Sequence, residues 1–274
     1  MDRINRAFKT APRQKTLIPF LNTGDPTFDA SLDLFQSVIR AGADIIEVGM
    51  PYSDPLADGP VIQSSALRSI RSGFRLPDAF ELVSQLRAKV DTAMVLFTYI
   101  NPLLQYQVRR FFGDARAAGA DGIIIPDLPY EESAPIRDVA DEFGISLIPL
   151  IAPTSGANRI AQIASTARGF VYCVSSLGVT GERARVSDRL EDLVGNIRLE
   201  TSLPVAVGFG VSTPMQAHQL AAYADGVVVG SAYVRRIEEA ISEKLTPDTL
   251  GRAKESLEAF TRSLRAAIDV GQIT

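Results

Sequence analysis

Hydrophobic positions in this chain fall into short, nearly continuous runs separated by longer stretches of helical spacing. The runs are 16–22 (TLIPFLN), 44–49 (DIIEVG), 93–99 (AMVLFTY), 122–127 (GIIIPD), 146–152 (SLIPLIA), 169–175 (GFVYCVS), 204–210 (PVAVGFG) and 226–232 (GVVVGSA). Several are apolar at every position, as strands covered on both faces must be. Between them, FDASLDLFQSVIRAG sets Leu32, Phe35 and Ile39 on one helical side and stops at Gly42. EESAPIRDVADEFG ends at Gly144, and TPMQAHQLAAYA offers Thr213 as N-cap with Pro214 in the first helical position. Eight strands, each followed by a helix, predict a single α/β domain over 1–274, a (β/α)8 barrel. A doubly wound open sheet has the same alternation and stays open as the alternative. Ile4 and Phe8 add a short amphipathic helix ahead of the first strand, and TPDTLGRAKESLEAFTRSLRAAID reads as a last helix on the outside.

A weak echo runs through the chain: AGADIIEVG, AGADGIIIPD and AYADGVVVGSA are variants of one helix-end-to-strand unit, with an aspartate turning the chain into the strand. The spacing of the copies is too irregular for a solenoid.

Composition narrows the function. At 274 residues and 46% apolar, the chain can bury a large core. A net charge of −4 argues against a nucleic-acid binder. One cysteine, Cys173, permits no internal disulfide and suits a reducing, cytoplasmic setting. Cys173 reads as a small core hydrophobe and His218, the lone histidine, as an outward helix residue. No apolar run reaches membrane-spanning length, and the N-terminus lacks a secretory h-region.

Three features carry chemistry. Glu47 alternates with Ile45 and Gly49 on one strand face, two residues from the strand's end. In a barrel that face is the lumen, and active sites gather at the strands' C-terminal ends. Desolvation there would raise its pKa and suit it to proton transfer; a structural ion pair with an arginine is the competing reading. The following loop, PYSDPLADGP, adds Asp54 and Asp58, which could be plain turn residues or, at the barrel mouth, a second carboxylate that holds a positive edge of a ligand. Glycine-rich turns close the last three units: SLGVTGE, GFGVS and VGSA. Backbone amides and a helix N-terminus there suit an anion, so a phosphorylated substrate is expected. Neither nucleotide-loop signature is present. Tyr99 and Tyr172, placed in strands, and Phe20, Phe97 and Phe209 could line an apolar slot or simply pack. Arg109 and Arg110 read as a solvated helix face.

These residues resemble those of the tryptophan synthase alpha subunit family. EVGMPYSDPLADGPVIQ is similar to its signature around the catalytic glutamate, and FLNTGDP, IIIPDLPYEES, SSLGVTG and GFGVS follow in the family's order across nearly the whole chain. Met50, in place of a smaller aliphatic, and Asn22 are small departures that leave the acids untouched. The resemblance implies a cofactor-free lyase that cleaves indole-3-glycerol phosphate by a retro-aldol reaction to indole and glyceraldehyde 3-phosphate. It implies Glu47 as general acid/base and Asp58 as acceptor of the indole N–H. By the same resemblance, Thr180 and Gly181 are expected in a closing loop, Gly210, Gly230 and Ser231 on the phosphate, and Phe20, Ile62, Tyr99, Ile124, Tyr172, Phe209 and Val228 along the indole slot. It further implies an α2β2 assembly with a beta subunit carrying pyridoxal phosphate, with the loop of Asp54 and Pro55 as contact element or plain lid. Two other readings remain: another phosphate-binding barrel enzyme such as a sugar-phosphate isomerase, and a non-catalytic activator of a beta partner.

Overall fold

The computed structural model describes residues 2–11, 15–174, 183–208, 210–241 and 244–270, with the backbone alone for 183–188. Among these residues nine parallel strand segments form one sheet: β1 (Thr16–Asn22), β2 (Ile45–Gly49), β3 (Ala93–Phe97), β4 (Gly122–Ile124), β5 (Ser146–Leu147), β6 (Leu150–Ile151), β7 (Val171–Val174), β8 (Val205–Gly208) and β9 (Gly226–Val229). Their order is β5-β4-β3-β2-β1-β9-β8-β7-β6. The two ends of that order are halves of one run, 146–151. The first half pairs with β4 and the second with β7, so the sheet closes on itself. Pro149 interrupts the ladder because it has no N–H to give, yet its carbonyl still accepts from the Tyr172 amide at 3.0 Å. The expected eight-strand barrel is therefore observed, and the open-sheet alternative falls.

Among the described residues twelve α-helices accompany the strands: α1 (Arg3–Thr10), α2 (Phe28–Arg40), α3 (Pro60–Arg71), α4 (Leu76–Arg87), α5 (Ile100–Tyr106), α6 (Val108–Ala118), α7 (Ala134–Glu142), α8 (Ala157–Thr166), α9 (Arg183–Glu200), α10 (Pro214–Ala221), α11 (Ser231–Ala240) and α12 (Pro247–Asp269). Thr213 caps α10 as expected, accepting from the Gln216 amide, with Pro214 at its start. Alternation along the strands sorts the core into two layers. Ile46 and Val48 face the helices, within the large outer cluster. Ile45, Val95, Ile124 and Val228 fill the lumen, and Ile4 and Phe8 of α1 pack among them. The N-terminal helix is thus a plug for the barrel floor.

The threefold echo has a physical role. Asp44 accepts from the Leu17 amide at 2.8 Å, Asp121 from the Met94 amide at 2.9 Å and Asp225 from the Val205 amide at 2.9 Å. Each aspartate ties the entry of its own strand to the neighbouring one, and each meets an arginine: Arg265, Arg87 and Arg198 respectively.

Some boundaries differ from expectation. The fourth strand stops at Ile124 rather than residue 127, and the last stops at Val229, where Gly230 turns the chain into α11. Tyr99 is not in β3 but immediately precedes α5. His218 does not face outward; it is half-buried beneath α12, its Nδ1 2.9 Å from the Ala267 carbonyl oxygen. Arg109 and Arg110 are solvated, and Cys173 is buried, its thiol pushed up to about 12 by that burial.

Candidate active site

Strand β2 carries Glu47 into the lumen. The register sets Phe20 of β1 on one side of it and Val95 of β3 on the other. Neither can answer a charge. Glu47 is 1% exposed, and its Oε1 has no hydrogen-bond partner among the described residues. Among the described residues no arginine reaches it, against the ion-pair reading. Burial raises its pKa from 4.5 to about 8.

A cavity of about 910 Å³ opens above it at the C-terminal ends of the strands. It is lined by Glu47, Asp58, Phe20, Ile62, Tyr172, Gly210, Val228, Gly230 and Ser231, all singled out from sequence. The rings of Phe20 and Phe97 meet edge to face, centroids 5.4 Å apart, and with Ile62 form an apolar wall. Asp58 closes the β2–α3 loop. Its amide donates to the Pro55 carbonyl at 3.0 Å, and its own carbonyl accepts from Gln63 Nε2 at 2.8 Å. Burial raises its carboxyl to about 6, opposed by the hydroxyl of Tyr99.

Two expected lining residues sit elsewhere. Tyr99 stands behind the loop, where its hydroxyl accepts from the Ala57 amide at 3.1 Å and faces Asp58. Its own pKa is raised, chiefly by burial and then by the Asp58 charge. Ile124 is fully buried in the lumen cluster below the cavity. Thr180, Gly181 and Phe209 lie outside the described residues.

A helix N-terminus also borders the cavity. Gly230 and Ser231 line it where α11 begins, and no side chain caps that first turn. The amide-rich N-terminus of a ten-residue helix faces the space. Gly210 adopts a φ of +45°, which glycine reaches without strain. Gly208 leaves room for Tyr172: a Cβ there would collide with its hydroxyl. The Tyr172 hydroxyl is held well above its ordinary pKa by burial and by the Glu47 and Asp58 carboxylates.

Sequence reasoning did not single out Asp127, Leu128 and Pro129, which also line the cavity. The last residues of the IIIPD run form the cavity rim rather than strand. The Pro126–Asp127 turn was the available signal. Among the described residues no cluster of three or more metal-ligating side chains gathers, and no helix is long and apolar enough to cross a membrane.

A family model described as tryptophan synthase alpha chain matches residues 7–266. The chain belongs to the tryptophan synthase alpha chain family. The alpha chain of Geobacillus kaustophilus is 49% identical over 252 residues, 92% of this chain and 94% of the relative. That of Synechococcus elongatus is 47% identical over 92% of this chain and 91% of its own length. Among solved structures, the alpha subunit of Legionella pneumophila str. Paris superposes with a TM-score of 0.87 at 36% identity, covering 98% of this chain and 99% of that one. A tryptophan synthase chain from M. tuberculosis, in an open form with BRD0059 bound, gives 0.85 at 36% identity over 99% and 100%. As a member of this family, the protein is a lyase. Retro-aldol cleavage of indole-3-glycerol phosphate, the reaction expected from the sequence, is the alpha reaction of this family.

Proposed function

We propose that Glu47 and Asp58 carry out this cleavage in the cavity above the barrel lumen. The observation that carries the reading is a buried carboxyl with no counter-charge among the described residues, facing an apolar slot that also holds a second, less perturbed acid. Cleaving the C–C bond between indole C3 and the glycerol chain requires indole C3 to be protonated, because indole is otherwise a poor leaving group. Glu47, protonated at neutral pH, donates that proton. Protonation places positive charge on the ring nitrogen, and the Asp58 carboxylate accepts from the N–H and balances it. Glu47, now ionised in apolar surroundings, is a strong base and takes the proton of the glycerol hydroxyl adjacent to the breaking bond. The C–C bond then breaks, its electrons returning to the indole ring as the hydroxyl carbon becomes the aldehyde of glyceraldehyde 3-phosphate.

Phe20, Ile62, Tyr172 and Val228 hold the indole, and Gly210, Gly230 and Ser231 hold the phosphate at the α11 N-terminus. For Tyr99 we propose a role through Asp58, and for Ile124 one as floor of the slot. Thr180, Gly181 and Phe209 keep the loop and slot roles that their motifs imply. Residues 1–274 are read as one barrel domain, supported by the single closed sheet.

The chain is expected to need no cofactor of its own. Its partner is a beta subunit, in an α2β2 assembly, which consumes the indole at pyridoxal phosphate in a cytoplasmic setting. Leu56, 83% exposed on the loop of Asp54 and Pro55, supports that loop as a contact element. The test is indole release from indole-3-glycerol phosphate by the chain alone and with a cognate beta subunit. Release that rises with the partner supports the reading. No release in either case from folded protein returns the isomerase and activator readings.

A further inference from the structure

A buried polar chain lies beside the cavity without touching it. It starts at Asn22, the last residue of β1, whose Nδ2 donates to Ser65 Oγ at 2.9 Å. Ser65 Oγ donates to the Asp25 carboxylate. Arg68 grips the same carboxylate with two prongs, Nε to Oδ1 at 2.9 Å and Nη2 to Oδ2 at 2.8 Å. Its remaining Nη1 reaches Glu238 Oε1 at 3.0 Å, in α11. Ser69 Oγ donates to the Thr23 carbonyl at 2.6 Å, and Ser72 Oγ to that of Gly24 at 3.1 Å. Asn22, Asp25, Ser65 and Ser69 are all buried.

One face of α3 is therefore bolted to the β1 loop by side chains at 65, 68, 69 and 72. These positions recur at helical spacing, so the contact runs along the helix rather than at one point. The same helix presents Ile62 to the cavity and holds the Asp58 carbonyl through Gln63. The other end of the chain of contacts, Glu238, lies in the helix whose first turn borders the cavity. No residue of the clamp touches the cavity, and its buried charge is costly to assemble. A well-packed apolar contact would hold the helix as firmly. Bidentate geometry adds fixed orientation, which an apolar contact lacks.

We propose that Asp25 and Arg68 are positioning residues for the reaction: their fork fixes the rotation and height of α3 and thereby sets Asp58 and Ile62 against the indole. The inference rests on the catalytic reading of Asp58 given above. Displacing an oriented group by about 1 Å can cost on the order of 100-fold in rate.

The test compares Asp25→Asn, which keeps the shape and loses the charge, with Arg68→Lys, which keeps the charge and loses the fork. Both are assayed for indole release well below their melting temperatures, and amide hydrogen exchange is followed over residues 57–64. The expected result is a kcat/KM lower by about 10- to 100-fold in each folded variant, carried mainly by kcat, with faster exchange in that segment. Arg68→Lys should fail to rescue. Wild-type kcat and KM in either folded variant, whatever its melting temperature, would overturn the proposal. Should the wild-type chain itself release no indole, the catalytic reading fails. Unchanged exchange over 57–64 in Asp25→Asn would then overturn the clamp independently.

Discussion

Between Phe20 and Val95, the Glu47 carboxyl has no ionic partner among the described residues, and two consequences can be measured. With the ordinary pKa near 4.5 and the folded value about 8, the folded state keeps a proton that the unfolded state has released. Stability then falls as pH rises through that interval, by at most about 1.4 kcal/mol per pH unit. Glu47→Gln lacks this term, so its stability relative to wild type should climb between about pH 5 and pH 8 in denaturant melts; a constant difference would refute the raised pKa. The second consequence is kinetic. Asp58 must be charged and Glu47 protonated in the free enzyme, so kcat/KM should peak between about 6 and about 8 and fall on either side. A profile still rising above pH 9 would remove Glu47 as the acid. Glu47 was legible in sequence because a lone carboxylate inside an apolar run is costly and period-two alternation fixes its face. Tyr99 and Ile124 were harder. Differences of two or three residues in where a strand ends decide whether a side chain lines a cavity or stands behind it, and apolar runs do not mark their own ends.

At the scale of elements, the barrel floor depends on α1 and on the strand-entry aspartates. Asp121 is 8% exposed and joins the Met94 amide, Arg87 and Arg3. Asp121→Ala takes the buried carboxylate away from the half-buried Arg87, which keeps its carbonyl acceptors, and the acceptor away from the Met94 amide, and should cost on the order of 3–5 kcal/mol in denaturant unfolding. Ile4→Ala at the centre of the plug should cost about 2–5 kcal/mol. Loss of under 1 kcal/mol in either would mean the floor is held elsewhere. The echo AGAD, AGAD, AYAD showed where these aspartates stand. It did not show that each bonds the neighbouring strand, because that contact is long-range. The clamp at Asp25 and Arg68 was invisible for the same reason. Its residues lie 43 positions apart, in segments that read as a turn and an ordinary amphipathic helix.

On the scale of the whole molecule, strand count and continuous apolar runs allowed closure without excluding an open sheet, and they did not show the break at Pro149. Proline's missing donor predicts a weak point without saying that the ladder switches partner across it. The closed sheet points every strand end into one cavity. That is how an acid from β2, an acid from the next loop and an uncapped turn of α11 come together. The central claim is that Glu47 performs the proton transfers of indole release, and steady-state kinetics of Glu47→Gln on indole-3-glycerol phosphate test it most directly. The account predicts a kcat lower by about 100- to 10,000-fold with KM little changed. Near-wild-type turnover in that variant would contradict it.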